Sequence, residues 1–412
     1  MIKELFISKL EKISKDFGLN LLASLITTGT AQLILYPALA RLMSENHYGE
    51  MLTLMGIANT IAVACGGSLN NVRLLLQEEY DEGHQIGDFN IVLWLIVVIS
   101  TIVLLIVFWF IYKQPLVISV FTMAFAILCF LRTYISVEYR IILDYKKVLY
   151  SNIWVAIGNV IGVALYALVK IENLWAIPFF MGEIFSYIYI LKTTSIIREP
   201  IRRTELFGRI AGKEAVLLVS ALSANVLTYL DRLLLLPLLG GAAVSCYTVA
   251  SVFGKSLGIL MMPLAGVMLS YYAHKGFKMS RSLFWKINLG SICVGVLFSI
   301  ISLLIAPIFT KILYSSLYNN AKDYLIIANI TAIVNVVANM TQPSVLKFAP
   351  TFWQLIIQVI YCIIYLVGGV LCVQSLGLWG FSIMALSAAI IKVVMLFMIG
   401  NIFIGRKDVD TE

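Results

Sequence analysis

Long apolar runs, separated by short polar breaks, follow one another along the chain. Windows such as Ile91 to Phe110 are apolar on every face of a helix and carry no charge. A bilayer core about 30 Å thick is crossed by about 20 helical residues, and a helix satisfies its backbone hydrogen bonds within one segment. Transmembrane strands would instead alternate in polarity over about ten residues. The pattern therefore predicts an all-α polytopic membrane protein.

Twelve of these runs are long enough to cross a bilayer. They lie at 17–40, 51–72, 89–112, 114–138, 148–169, 174–191, 215–238, 243–272, 287–310, 324–346, 352–373 and 378–404. The longest polar break, 192–214, separates six runs from six. We therefore predict two six-helix lobes, 1–192 and 214–412, joined by a cytoplasmic linker at 193–213.

Composition and charge support this prediction and add an orientation. The chain is 61% hydrophobic and 13% charged, which excludes a water-soluble fold. The net charge is +8, but the basic residues lie mostly in the polar breaks, so the excess indicates membrane orientation and not nucleic-acid binding. With a cytoplasmic N-terminus, the inner segments hold 21 basic residues and the outer segments five. Both termini are therefore predicted to be cytoplasmic.

The sequence carries no recognisable catalytic constellation. Its six cysteines all fall inside apolar runs, which favours a packing role, and the three histidines (His47, His84 and His274) are too scattered for a metal site. No glycine-rich phosphate-binding loop ending in Lys-Ser/Thr is present, and the outer connections are shorter than a membrane polymerase or glycosyltransferase usually needs. We predict a protein that is not an enzyme and has no cofactor or metal.

Charged residues inside the apolar runs are the informative ones, because a charge at a helix centre costs at least about 2.5–3.5 kcal/mol. Fixed cations in a wet cavity would complement an anionic group such as a pyrophosphate. Spans 1, 2, 7 and 8 are predicted to line that cavity. The candidate substrate-binding residues are Arg73, Arg232 and Lys255, with Asn70 and Asn71. The alternative is that these cations reach the membrane interface or form structural ion pairs.

Three further charges are candidates for ion coupling: Asp231, Glu183 and Lys392. Asp231 and Arg232 are adjacent on a helix and point about 100° apart, so they are not expected to neutralise each other fully. Glu183 and Lys392 each have two interpretations, a proton or cation site or one half of a buried ion pair. Arg132, near the inner end of its span, is interpreted as reaching the interface. The polar breaks 77–88 and 192–214 are interpreted as solvated.

Several segments resemble one transporter family in the same order along the chain. They are TGTAQLILYPALARLMSENHYGEMLTLMGIANTIAVACGGSLNNVRLLLQEEY (28–80), NVLTYLDRLLLLPLLGGAAVSCYTVAS (225–251), LYNNAKDYLIIANI (317–330) and SLGLWGFSIMALSAAIIKVVML (375–396). The chain resembles the polysaccharide-transporter, or Wzx-type flippase, family of the multidrug/oligosaccharidyl-lipid/polysaccharide exporter superfamily. The resemblance covers nearly the whole chain.

The resemblance implies a flippase of the bacterial cytoplasmic membrane. Such a protein moves oligosaccharide repeat units linked to undecaprenyl pyrophosphate to the outer leaflet by alternating access, for lipopolysaccharide O-antigen, capsule or exopolysaccharide. Its implied partners are that lipid-linked substrate, membrane lipids, and the polysaccharide polymerase with its chain-length machinery. The alternative is an ion-coupled multidrug exporter of the same superfamily. Drug exporters typically carry acidic residues in the first spans, whereas span 1 of this chain has none.

Overall fold

The computed structural model describes residues 2–82, 87–169, 171–273 and 279–406. Within these ranges every regular element is a helix, which confirms the predicted fold class. His84 and His274 lie outside the described residues. The chain divides into two compact units, one made of residues 1–44 and 51–230 and the other of residues 45–50 and 231–412.

Over its described residues, the first unit contains nine α-helices. The start of the third helix, residues 45–50, belongs to the second unit. These helices are α1 (Ile2–Thr30), α2 (Tyr36–Leu42), α3 (Glu45–Glu82), α4 (Asp88–Leu105), α5 (Leu116–Ile135), α6 (Val137–Ile141), α7 (Tyr145–Val169), α8 (Ile177–Thr193) and α9 (Phe207–Thr228). A π-helical turn, Ala31–Leu35, joins α1 to α2, and a second, Ile106–Ile111, extends α4.

The second unit contains the remaining α-helices. They are α10 (Leu230–Leu239), α11 (Gly241–Ala273), α12 (Arg281–Leu313), α13 (Tyr318–Ala321), α14 (Leu325–Phe348), α15 (Thr351–Ile363) and α16 (Gly369–Arg406). A π-helical turn, Ile364–Gly368, connects α15 directly to α16.

The helices have the length and surface of membrane spans. Ten segments of the described chain are long and apolar enough to cross a bilayer. Large apolar side chains stand on their outer faces, for example Phe110 at 69% and Leu168 at 81% exposure. A continuous apolar surface of this kind is expected against lipid and is unfavourable in water. The described chain is therefore a multi-pass membrane protein.

All twelve predicted runs are helical, but they differ from the prediction at their ends. The last candidate segment, Phe352–Ile404, holds two predicted spans and is broken at Gly377, where φ is 57° and ψ is −137°. Only glycine adopts this conformation readily. The predicted run 243–272 is covered by α11, which has 33 residues. Helices also extend past the apolar runs, as in the 38 residues of α3, because charged residues outside lipid still favour helix.

The predicted seventh run, 215–238, is two helices. Tyr229 separates α9 from α10 with φ −111° and ψ 10°. The helix α9 packs within the first unit, whereas the sequence-based boundary assigned 214–412 to the second lobe. The assignment of lobes stays a prediction.

The segment that follows α8 is fastened to the first unit by hydrogen bonds. The backbone N–H of Ser195 donates to Glu138 Oε2 at 2.7 Å, and Asn90 Nδ2 donates to the carbonyl of Glu199 at 2.6 Å. Further on, the backbone N–H of Thr204 donates to Asp88 Oδ1 at 2.7 Å, and its hydroxyl bonds the other carboxylate oxygen. Much of the predicted linker at 193–213 is therefore held in place.

Glycines let α7 and α8 approach each other closely. A Cβ atom built on Gly158 would overlap the carbonyl of Met181 and the Cα atom of Gly182. Membrane helices gain association energy from packing of this kind, since lipid tails are as apolar as leucine and provide no hydrophobic driving force. The α7–α8 contact is therefore specified by small residues at its centre.

Adding a methyl group at Gly158 should force these helices apart. We expect Gly158→Ala to lower the free energy of unfolding by about 1–3 kcal/mol, as overpacking typically does. The measurement is the thermal unfolding midpoint of the detergent-solubilised protein. Gly29→Ala is the matched control, because a Cβ there meets no atom within 4 Å. An equal change in both variants would contradict the close-approach interpretation.

Candidate functional site

An ion pair lies between two helices of the second unit, within predicted membrane spans. Lys255 Nζ on α11 donates to Asp231 Oδ2 on α10 at 2.6 Å. The Asp231 side chain is 8% exposed and that of Lys255 is 39% exposed. An ammonium group has three N–H donors, so the pair leaves Lys255 with donors for a ligand. Asp231 is further satisfied by the backbone N–H of Arg232, which donates to Oδ1 at 2.9 Å.

Tyrosines line the same region of the second unit. Tyr247 and Tyr365 each meet Phe381 edge-on, with ring centroids 4.9 Å and 5.7 Å apart. The ring centroid of Tyr361 lies 5.6 Å from that of Tyr365. All three tyrosines are buried and lie near Asp231. The ion pair therefore stands beside an aromatic wall that also carries polar groups.

Lys392 joins this region through Tyr361. Its Nζ atom on α16 lies 5.1 Å from the centre of the Tyr361 ring, a cation–π distance. Among the described residues, no carboxylate lies within salt-bridge distance of Lys392. Lys392 was interpreted either as a proton or cation site or as half of a buried ion pair. Its observed partner is the ring of Tyr361, and not a carboxylate of the described residues. We call Asp231, Arg232, Lys255, Tyr361 and Lys392 the charge cluster.

The predicted binding residue Arg73 lies elsewhere, in the first unit, and is engaged. It is 4% exposed, and its Nη1 and Nη2 atoms donate to Glu199 at 2.9 Å and 2.7 Å. Its Nε donates to Gln77 at 3.0 Å, and its guanidinium stacks on Tyr80 and Phe89. This bidentate ion pair connects Glu199 to α3. Binding of substrate by Arg73 stays a prediction.

Asn70 and Asn71 contact a basic residue that the sequence analysis did not single out. Arg140 Nη1 on α6 donates to Asn70 Oδ1 at 2.6 Å and lies 3.4 Å from Asn71 Oδ1. Asn70 Nδ2 donates to the carbonyl of Thr133 at 2.8 Å. The two asparagines therefore connect α3 to α5 and α6 of the first unit, and their predicted role in substrate binding stays a prediction.

Glu183 is one half of a buried ion pair. Arg132 Nε and Nη2 donate to its two carboxylate oxygens at 2.5 Å and 3.0 Å. The side chains are 17% exposed for Arg132 and 5% for Glu183. The interpretation that Arg132 reaches the membrane interface is wrong, because a bidentate carboxylate partner lies within its reach on α8.

Glu214 is a residue that the sequence analysis misplaced. It closes the polar break 192–214, which was interpreted as solvated, yet it is 3% exposed on α9. Ser68 Oγ on α3 lies 2.5 Å from its Oε1 atom. A usable signal was its position directly before the apolar run that begins at Ala215.

No protein-family model and no curated protein sequence matches the chain. Solved structures do match over nearly its whole length. A multidrug resistance MATE family transporter of the MOP superfamily, in an inward-facing conformation, has a TM-score of 0.65 and 13% identity, covering 95% of this chain and 96% of that one. The lipid II flippase MurJ, in an inward closed conformation, has a TM-score of 0.68 and 16% identity, covering 94% and 90%.

A third similar structure is the Vibrio cholerae MATE transporter VcmN in the bent form. Its TM-score is 0.59 at 14% identity, and the match covers 98% of this chain and 99% of that one. At such low identity the likeness establishes the fold. The chain therefore has the fold of these transporters.

Proposed function

We propose that this protein is a transporter that flips undecaprenyl-pyrophosphate-linked oligosaccharide repeat units across the bacterial cytoplasmic membrane by alternating access. Both termini would be cytoplasmic, and the product would pass to a polysaccharide polymerase for O-antigen, capsule or exopolysaccharide synthesis. The charge cluster is the observation that carries the proposal. In this cluster, which lies within predicted membrane spans, the cations Lys255 and Lys392 outnumber the carboxylate, Asp231.

An excess of positive charge fits an anionic substrate better than a cationic drug. Pyrophosphate oxygens accept charge-assisted hydrogen bonds, which are stronger than neutral ones. Lys255 is 39% exposed in its pair with Asp231, so a phosphate oxygen can be bound without first breaking that pair. The aromatic wall beside it supplies surfaces on which sugar rings can pack. The fold shared with the lipid II flippase MurJ adds support for a lipid-linked substrate.

A second candidate function is multidrug export, which the fold shared with the MATE transporters favours. The acidic groups of the charge cluster and of Glu183 are then the relevant ones, because a cationic drug needs anionic complements. Both are already paired, Asp231 with Lys255 and Glu183 with Arg132. We therefore place the flippase first.

Deletion of the gene separates the two functions. If the protein is the flippase, the null strain should lose surface polysaccharide and accumulate lipid-linked repeat units on the cytoplasmic side, and the wild-type gene should restore both. Lipid-extract analysis and surface staining make the measurement. A strain with normal polysaccharide and new sensitivity to cationic compounds would identify a drug exporter and overturn the flippase proposal.

A further inference from the structure

Glu214 is a buried carboxyl group that faces no opposite charge within the part of the chain that the structure describes. Its Oε2 atom is buried, and none of the side chains or backbone groups that the structure describes bonds to it. Among the described residues, no lysine, arginine or histidine lies within salt-bridge distance of it. An uncompensated carboxylate is strongly disfavoured in such a place, and a group of this kind commonly becomes neutral instead.

The cations that α3 and α9 carry near this site either bond another carboxylate or point away, and Asp88 of α4 accepts a hydrogen bond from Thr204. On α9 itself, Arg209 bonds Glu79 at 2.5 Å, and Lys213 is the adjacent residue, which points about 100° away. On α3, Arg73 bonds Glu199. Cys65 of α3 is also near Glu214, but its Sγ atom lies 3.6 Å from the Ser100 hydroxyl of α4, and a thiol is not a cation.

The pattern of hydrogen-bond donors and acceptors around Glu214 favours its protonated form. Ser68 Oγ lies 2.5 Å from Glu214 Oε1 and 3.1 Å from the carbonyl oxygen of Cys65. A serine hydroxyl has a single proton, so it serves an ionised Glu214 or the Cys65 carbonyl, but not both well. If Oε1 carries a proton, Glu214 donates to Ser68, and Ser68 donates to Cys65. The neutral acid therefore gives both hydrogen bonds of this chain a proton, and it leaves Oε2 as an uncharged carbonyl oxygen.

A proton fits these groups better than a metal ion does. Hard cations such as Ca²⁺ and Mg²⁺ take about six or more oxygen ligands. The oxygens that the described residues bring together here belong to one carboxyl group, one hydroxyl and one carbonyl. A proton needs only one donor position and one acceptor, and both are present.

We propose that Glu214 is the proton-binding site of the first unit and that its proton couples substrate translocation to proton movement. The coupling rests on the proposed transport function, whereas the proton site does not. In the conformation described, Oε1 holds the proton. When the α3–α9 contact opens, the Oε1–H bond breaks and the proton passes to water, leaving a hydrated carboxylate. Closing the contact requires Glu214 to take up a proton again.

The proton site is tested on the full-length protein in lipid nanodiscs by infrared spectroscopy. We expect a carbonyl stretching band of a protonated carboxyl group at neutral pH, which is lost on alkaline titration. It should be absent from Glu214→Gln, whose amide can donate to Ser68 as the acid does. Glu205→Gln, at an exposed position, is the control and should keep the band. The same band in Glu214→Gln, or none in the wild type, would overturn the proton site.

A second variant, which keeps the carboxyl group, provides a test even if Glu214→Gln misfolds. Ser68→Ala removes the acceptor of the proposed acid proton, so the band should shift in frequency while remaining titratable. A band that is unchanged in Ser68→Ala would contradict the proposed hydrogen-bond chain.

Opening of the α3–α9 contact is tested with Cys65, which is buried next to the site at 4% exposure. In a variant with Cys65 as its single cysteine, alkylation by a membrane-permeant maleimide should accelerate more between neutral and alkaline pH than in the same variant carrying Glu214→Gln. A carboxylate near Cys65 disfavours its thiolate, so thiol ionisation alone would give the smaller acceleration in the variant that keeps Glu214. An equal acceleration would refute the coupling. These measurements need no substrate, so their failure is distinguishable from failure of the flippase proposal.

Discussion

The Lys255→Ala variant should insert into the membrane and fold but fail to restore surface polysaccharide to the deletion strain. Hydrogen bonds to charged groups contribute about 1.5–3 kcal/mol, so loss of the contact between Lys255 and a phosphate oxygen should weaken binding about ten- to hundredfold. The measurement is polysaccharide yield at matched protein level. Lys255→Arg, which keeps the charge, should retain part of the export.

Controls separate loss of binding from loss of stability. Alanine at Lys255 leaves Asp231, which is 8% exposed, without its partner. The double variant Lys255→Ala/Asp231→Asn removes both charges, so it should recover stability but not export. Lys311→Ala, at an exposed position near the end of α12, should be silent in both respects. Wild-type polysaccharide in Lys255→Ala would remove this residue from the binding site.

The second large effect is expected at the ion pair of the first unit. Glu183→Ala leaves the Arg132 guanidinium uncompensated at 17% exposure, and breaking a buried pair in this way costs about 3–5 kcal/mol. The expected result is a lower thermal unfolding midpoint and less monodisperse protein after solubilisation. The double variant Arg132→Met/Glu183→Leu should recover most of the loss, because packed apolar side chains replace such pairs at little cost.

An exposed pair in the same unit provides the comparison. Arg209 and Glu79 are 55% and 39% exposed, so Glu79→Ala should change the free energy of unfolding by less than about 1 kcal/mol. If Glu183→Ala were as stable as Glu79→Ala, Glu183 would not have the structural role that its burial indicates. It would then return to consideration as a site for ion coupling.

The spans were predictable because lipid leaves the backbone few choices. Any apolar run of sufficient length must form a helix in a bilayer, so Ile91 to Phe110 determines its own structure. Helix ends were not predictable in the same way, since α3 continues through charged residues that no longer lie in lipid. The separation of α9 from α10 at Tyr229 has no signal in hydropathy, because the whole run 215–238 is apolar apart from a few residues.

The ion pairs could not be predicted from the sequence, although Arg73, Asp231 and Lys255 were each singled out as intramembrane charges. The partners Asp231 and Lys255 belong to different helices, and Arg73 and Glu199 are 126 residues apart. Whether two such side chains meet depends on the rotation and register of packed helices, which hydropathy does not encode. For Glu214 the prediction was wrong. The residue ends a polar break and was interpreted as solvated, but α9 places its side chain in the protein interior.

The fastened segment after α8 also limits how the first unit can move. Ser195, Glu199 and Thr204 of this segment are hydrogen-bonded to α6 or α4 at intervals of a few residues. With hydrogen bonds so closely spaced, the segment has little freedom to change conformation when α8 moves. A tilt of α8 should therefore strain the hydrogen bonds that join this segment to α4 and α6. A reporter domain inserted between 195 and 204 should disrupt the same hydrogen bonds and so perturb these helices.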